Sequence, residues 1–220
     1  KAKELGSPAY KVIQAGAKVL GNNKDGIDFS LEDDYYGDTR FHIPFIAWYQ
    51  VMNASLALTT MEVLKDRIPV TMEQLQAGIA NTRWQGRMET ILPGVIVDGA
   101  HNEDGVRRFV ETAERFQKEY PLTLLFSAVN DKDYQDMIHT ICSRIKFRKV
   151  VTTEVGGYRE VPSAELAEIF CKEGCKDVGN SDNIEEAFHM AHEAKGEDGM
   201  LFCVGSLYLV GEIKTLLLKK

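Results

Sequence analysis

The stretch Trp84–Asn102, WQGRMETILPGVIVDGAHN, decides how this chain folds. Within it the apolar run Gly94–Val97 stops in Asp98, Gly99, His101 and Asn102. Val and Ile favour a pleated, buried strand. Asp, Asn and His resist burial unless paired, and Gly frees the backbone for a tight turn. A strand that closes on this set either runs into an ordinary loop or presents a ligand site at its carboxyl end.

The rest of the chain supplies the context. From Pro93 onward short β-rich runs alternate with helical patterns: Gly94–Val97, Leu122–Val129, Lys149–Val155 and Met200–Val204 are the runs, with a weaker one at Lys176–Gly179. Between them, Glu103–Tyr120 repeats Val106, Phe109, Val110, Ala113 and Phe116 at spacings of three and four, one buried helical face. Tyr134–Ile145, Ala164–Lys172 and Ile184–Ala194 behave likewise, with Ser163 and Asp182 as the expected caps of the last two. This alternation predicts an α/β domain, a largely parallel sheet with helices on both faces. Ligands bind such sheets outside the carboxyl ends of the strands.

The first eighty residues read differently. Tyr10–Gln14 and Ile27–Leu31 are expected strands, separated by the turn-forming Gly21–Gly26, and Phe41–Ala47 is a third. Val51–Leu64 and Thr71–Ala80 are expected helices, the second capped by Thr71. That is too little for an α/β domain of its own, so a boundary is expected near Asn81–Gln85, dividing residues 1–83 from 84–220.

Composition narrows the function classes. The chain has 220 residues, 44% hydrophobic and 27% charged, ordinary for a globular protein with an ample core. A net charge of −7 offers no basic field for nucleic acid or an anionic membrane. No apolar run reaches the roughly 18 residues that span a bilayer. The N-terminal KAKELGSPAYK lacks the apolar core of a secretory signal, so a cytoplasmic location is expected. Cys142, Cys171, Cys175 and Cys203 form no CxxC pair. Cys171 and Cys175 are one helical turn apart, yet nothing nearby completes four zinc ligands, and reduced thiols are the better reading.

No G-x-x-x-x-G-K-[ST] loop, post-strand G-x-G-x-x-G, G-x-S-x-G elbow or HExxH occurs. His189 and His192 share a helical face and read as a solvated pair. Four constellations remain. Gln50 and Asn53 lie three apart at a helix start, where plain capping is the alternative. Arg87 follows a glycine at the expected boundary and could reach phosphate. Lys132 in NDKDY and Ser206 in VGSLY follow two of the strands. Together with Asp98 and His101 these polar groups stand at the ends of three strands, as one rim of one sheet would require.

The string W-x-G-R-x-E, followed after one strand by D-G-A-H-N, resembles the C-terminal half of folylpolyglutamate synthase, also called dihydrofolate synthase, of the Mur-ligase superfamily. Further matches come in order: Tyr49-Gln50-Val51-Met52-Asn53-Ala54 for HQ-x-x-NA, Asp131-Lys132-Asp133 for DKD, and Gly205–Glu212 for GSLYLVGE. The family's Gly and His in G-x-HQ are here Ala47 and Tyr49. The resemblance implies an ATP- and Mg²⁺-dependent ligase, with folate, L-glutamate and ATP as small-molecule substrates. It phosphorylates a folate γ-carboxylate to an acyl phosphate, which the glutamate amine then attacks. It implies Asn53 at the adenine, Arg87 at the ATP phosphates, Asp98 at the ribose, and His101, Ser206 and Lys132 around the glutamate. Residues 1–83 would be the tail of the central P-loop ATPase domain, and 84–220 the Rossmann-like glutamate-binding domain. The P-loop, the Mg²⁺ ligands and most folate contacts are expected upstream of Lys1, leaving this chain a monomeric fragment inactive by itself. A peptidoglycan-type Mur ligase and a non-catalytic Rossmann-like binding module are the competing readings. A G-T-N-G-K-G-S-like loop encoded upstream would separate the first reading from the last.

Overall fold

Val95–Asp98 forms a strand buried on both faces, and a six-stranded sheet is organised around it. The structure, a computed structural model, describes residues 1–11, 16–23, 26–157 and 159–218. It divides into two compact units, Lys1–Arg83 and Trp84–Lys220.

In the first unit, β1 (Ala17–Asn23), β2 (Gly26–Leu31) and β3 (Phe41–Ile43) form an antiparallel sheet in that order. Ile27, Phe29, Phe41 and Ile43 alternate onto one face, where they meet Val51 and Leu58 of α1 (Tyr49–Leu64) and Leu75 of α2 (Met72–Ala80). Thr71 caps α2 through a reciprocal pair with Gln74, which satisfies two amides at the helix start. The strand expected at Tyr10–Gln14 falls largely on residues 12–15, outside the described residues. The strand that pairs with β2 is Ala17–Asn23, an edge strand whose half-exposed pattern gives little periodic signal. The strand expected over Phe41–Ala47 stops at Ile43, because Pro44 has no N–H for the ladder.

The second unit runs β4 (Glu89–Leu92), β5 (Val95–Asp98), α3 (Glu103–Phe116), β6 (Leu122–Phe126), α4 (Tyr134–Arg144), β7 (Phe147–Thr152), α5 (Ser163–Lys172), β8 (Val178–Asn180), α6 (Ile184–Lys195), β9 (Met200–Val204) and α7 (Leu207–Leu218). The strand order is β4-β5-β9-β6-β7-β8, parallel throughout except for β4, which pairs antiparallel with β5. This is the α/β sheet that the alternation predicts. Its two faces use alternate residues of the same strands. Val97, Leu125, Val151 and Cys203 pack with Phe188 of α6 and with Leu209 and Ile213 of α7. On the opposite face Phe202 meets Phe109 of α3 at 5.5 Å between ring centroids, and Phe126 meets Phe170 of α5 at 5.3 Å.

Several local readings are corrected. The strand β4, with its partly exposed Glu-Thr-Ile-Leu, had no buried run to announce it. Neither Ser163 nor Asp182 caps its helix. The Ser163 hydroxyl donates to the Asp182 carboxylate instead, Pro162 occupies the cap position of α5, and Asn183 caps α6 by accepting from the Glu186 amide. Cys171 is exposed, while Cys175, past the end of α5, has its Sγ 3.6 Å from that of Cys142 on α4. All four cysteines are free.

Candidate functional site

The chain leaves β5 through α3 on one face of the sheet, but leaves its neighbour β9 through α7 on the other. Loops that diverge from adjacent parallel strands open a crevice at the strand ends. Parallel register sets the three ends level, Asp98 opposite Val204 and Phe126 opposite Val204. The loops beyond them carry Gly99–His101, Gly205–Ser206 and Asp131–Lys132. Thus Asp98, His101, Ser206 and Lys132 share one edge of one sheet, with the Ser206 loop in the middle.

Asp98 closes β5 and is buried, 4% exposed. One carboxylate oxygen accepts from the Met88 amide and the other from the Ala100 amide, both at 2.8 Å. Burial pushes its carboxyl up to about 6, against the opposing pull of those two amides and of the Arg87 and His101 charges. The bond to Met88 explains a local strain. Met88 has φ of 46°, the one positive value at a non-glycine residue among the described residues. Such a conformation costs on the order of 1–3 kcal/mol and persists where its surroundings fix it. Here a 2%-exposed side chain and the Asp98 carboxylate fix it. The strained residue sets the half-buried Arg87 over the strand end: a Cβ on Gly99 would come within 2.8 Å of Arg87 Nη1 and 2.2 Å of Leu207. Glycine there lets the guanidinium and α7 approach the turn.

The imidazole of His101 is half-buried, with Nδ1 2.7 Å from the Gly99 carbonyl oxygen. A carbonyl only accepts, so Nδ1 carries the proton and Nε2 of the neutral ring is an acceptor. Ser206 is buried and its Oγ accepts from the Tyr208 amide at 3.1 Å. It therefore caps α7, and its hydroxyl proton remains available to a ligand. Lys132 is exposed and makes no ion pair among the described residues. The loops along this edge carry a guanidinium, an imidazole acceptor, a hydroxyl and an ammonium, a set suited to anionic groups beside an amine.

Residues 86–207, more than half of the chain, match the family described as Mur ligase, glutamate ligase domain. The chain belongs to the Mur ligase family. This Mur ligase chain is 30% identical over 194 residues to the dihydrofolate synthase/folylpolyglutamate synthase of Bacillus subtilis, covering 84% of this chain and 43% of that protein. Among solved structures, the folylpolyglutamate synthase of Thermotoga maritima matches with a TM-score of 0.75 and 25% identity, over 99% of this chain and 50% of that one. The fold of Mycobacterium tuberculosis folylpolyglutamate synthase, solved with ADP and AMPPCP, matches with a TM-score of 0.73 and 24% identity, over 92% and 48%. The Mur ligase chain spans about half the length, or less, of the curated relatives it matches first.

Asn53 belongs to the first unit of the Mur ligase chain. It is exposed on α1 and donates through Nδ2 to Gln50 Oε1 at 2.8 Å, so the two residues form one side-chain pair rather than a helix cap. Gln50 is 3% exposed, and its Nε2 is buried without a hydrogen-bond partner among the described residues. Two residues on the rim of the second unit, Arg159 and Tyr208, escaped the sequence reading. Arg159 follows two glycines with no pattern to mark it, and Tyr208 reads as one more apolar position of α7.

Proposed function

We propose that this chain is the C-terminal part of an ATP-dependent ligase that adds L-glutamate to the γ-carboxyl of a folate. Residues 1–83 would be the tail of its ATP-binding domain, and 84–220 the domain that brings the amino acid. The observation that supports this reading is the level alignment of three neighbouring strand ends, whose loops carry His101, Ser206 and Lys132 on the edge that holds Asp98. Membership of the Mur ligase family and the likeness to the Bacillus subtilis enzyme support the substrate class.

The residues suit their assigned tasks. Arg87 presents a fork of donors to the ATP phosphates. Asp98 holds Met88, and with it Arg87, through one amide bond on each oxygen, and each oxygen keeps a second lone pair for the ribose hydroxyls. Asn53, already ordered by Gln50, keeps its side-chain oxygen for the adenine. Lys132 pairs the glutamate α-carboxylate, and Ser206 donates to a carboxylate oxygen. His101 Nε2 accepts from the amine and leaves its lone pair directed at the acyl phosphate carbonyl. Attack forms the C–N bond, the C–O bond to phosphate breaks, and the proton that the amine sheds passes to His101 Nε2. Holding the amine in that position replaces a bimolecular encounter with a local one. Among the described residues no group of three His, Cys, Asp or Glu is placed to hold a metal ion. No step is assigned to Mg²⁺ through this chain's side chains, and the reading puts its ligands elsewhere in the ligase. The cytoplasm is the compartment proposed, and the small-molecule substrates are the partners.

The test is the glutamate dependence of the complete ligase carrying this chain. As a cap alone, Ser206→Ala costs about 1 kcal/mol of stability and leaves the glutamate KM unchanged. As a ligand it raises that KM or lowers the rate by about tenfold or more, with the ATP KM little affected. Normal glutamate dependence in both Ser206→Ala and His101→Ala rejects the site.

A further inference from the structure

Arg159 lies in the loop between β7 and α5, and its main chain is docked on the loop between β6 and α4. The Asn130 amide donates to the Arg159 carbonyl at 2.8 Å, and Val129 and Glu160 form an isolated antiparallel bridge. From that anchor the guanidinium reaches two further elements. Nη1 donates to Asp131 Oδ2 at 3.2 Å, and Nη2 donates to the Tyr208 hydroxyl at 3.0 Å. Asp131 immediately precedes Lys132. The amide of Tyr208 donates to Ser206 Oγ. One side chain thus joins, across 28 and 49 residues of sequence, the neighbours of the two residues assigned to the glutamate.

We propose that Arg159 is a positioning residue that fixes the spacing between Lys132 and Ser206, and through it the fit of the incoming amino acid. The proposal rests on the glutamate reading of this rim. Three observations support it. The Arg159 and Asp131 side chains are 39% and 42% exposed, and ion pairs at such exposure contribute little to folding, so core stability does not account for the link. A guanidinium is planar and holds its donors in a rigid fork, which lets it fix two acceptors on different elements at once, whereas a lysine ammonium lacks that geometry. The charge of Arg159 is balanced by Asp131, while adjacent Lys132 makes no ion pair among the described residues. Of these two cations Arg159 is the structural one and Lys132 is left for substrate.

The experiment is glutamate-dependent phosphate release by the complete ligase, with Arg159→Ala, Arg159→Lys and Tyr208→Phe, and urea unfolding of each. Contacting residues in one network couple strongly, so Arg159→Ala is expected to raise the glutamate KM about tenfold, with the ATP KM and the unfolding midpoint nearly unchanged. Arg159→Lys recovers only part of the loss, because it cannot span both partners. Tyr208→Phe, which keeps the ring and its packing, gives a smaller rise in the same KM and adds nothing in the Arg159→Ala background. A glutamate KM within about twofold of wild type in Arg159→Ala, or independent multiplication of the two effects, overturns the proposal. If Ser206→Ala disturbs glutamate use while Arg159→Ala does not, the clamp alone is wrong. If the wild-type ligase is indifferent to glutamate, the underlying reading falls and the clamp with it.

Discussion

Two glycines six residues apart in GSLYLVGE should respond to alanine with opposite signs. Gly205 has φ of 110°, and a Cβ there would lie 2.0 Å from the Ser127 carbonyl oxygen and 2.8 Å from the Phe126 ring. The oxygen is backbone at the end of β6, level with the end of β9, so relief requires the two strand ends to separate. The left-handed conformation alone costs an alanine on the order of 1–3 kcal/mol. Adding the displaced backbone brings Gly205→Ala to about 3–5 kcal/mol, the exceptional end of single substitutions. Gly211 is interior to α7, has no positive φ, and a Cβ there meets nothing within 4 Å. Gly211→Ala should stabilise by up to about 1 kcal/mol, because alanine loses less backbone freedom in a helix. The assay is urea unfolding followed through Trp84 in a Trp48→Phe background, which reports on the second unit. A loss below about 1 kcal/mol for Gly205→Ala, or a comparable loss for Gly211→Ala, refutes the close approach of β9 and β6 at the rim.

Asp98 should give an unusual pH dependence, because its folded carboxyl is raised to about 6 whereas the unfolded chain titrates near about 3.9. The folded state holds that proton more tightly, so stability from this site is complete below about pH 4 and falls by about 3 kcal/mol as pH rises through 6. In urea unfolding, the difference between wild type and Asp98→Asn should shrink or reverse by that amount between pH 4 and 7.5, and a pH-independent difference rejects it. In the complete ligase Arg87→Ala should lower turnover about a hundredfold, the usual cost of removing a donor from charge that grows in the transition state, while barely changing stability. A rate within about threefold makes Arg87 a surface charge.

The amino-acid sequence by itself determined the local elements and the chemistry at their ends. The repeat of Val106, Phe109, Val110 and Ala113 has one solution as a helix on a core. The four-residue run ending in Asp98 has one as a buried strand, and Thr71 with Gln74 marks a helix start wherever the chain places it. These signals are short-range, so they survive without knowledge of the fold. Tertiary structure decided which ends are neighbours. Insertion of the last strand, β9, between β5 and β6 brings Ser206 between His101 and Lys132. No local pattern specifies that order, because parallel partners are joined by long crossovers and chosen by the packing of both sheet faces. The same holds for the bond from Asp98 that imposes a positive φ on Met88, the meeting of Cys142 with Cys175, and the reach of Arg159 to Asp131 and Tyr208. The first needs only the pairing of β4 with β5, whereas the others join residues 28 to 49 apart in sequence, whose approach becomes favourable only once the sheet and its helices have assembled.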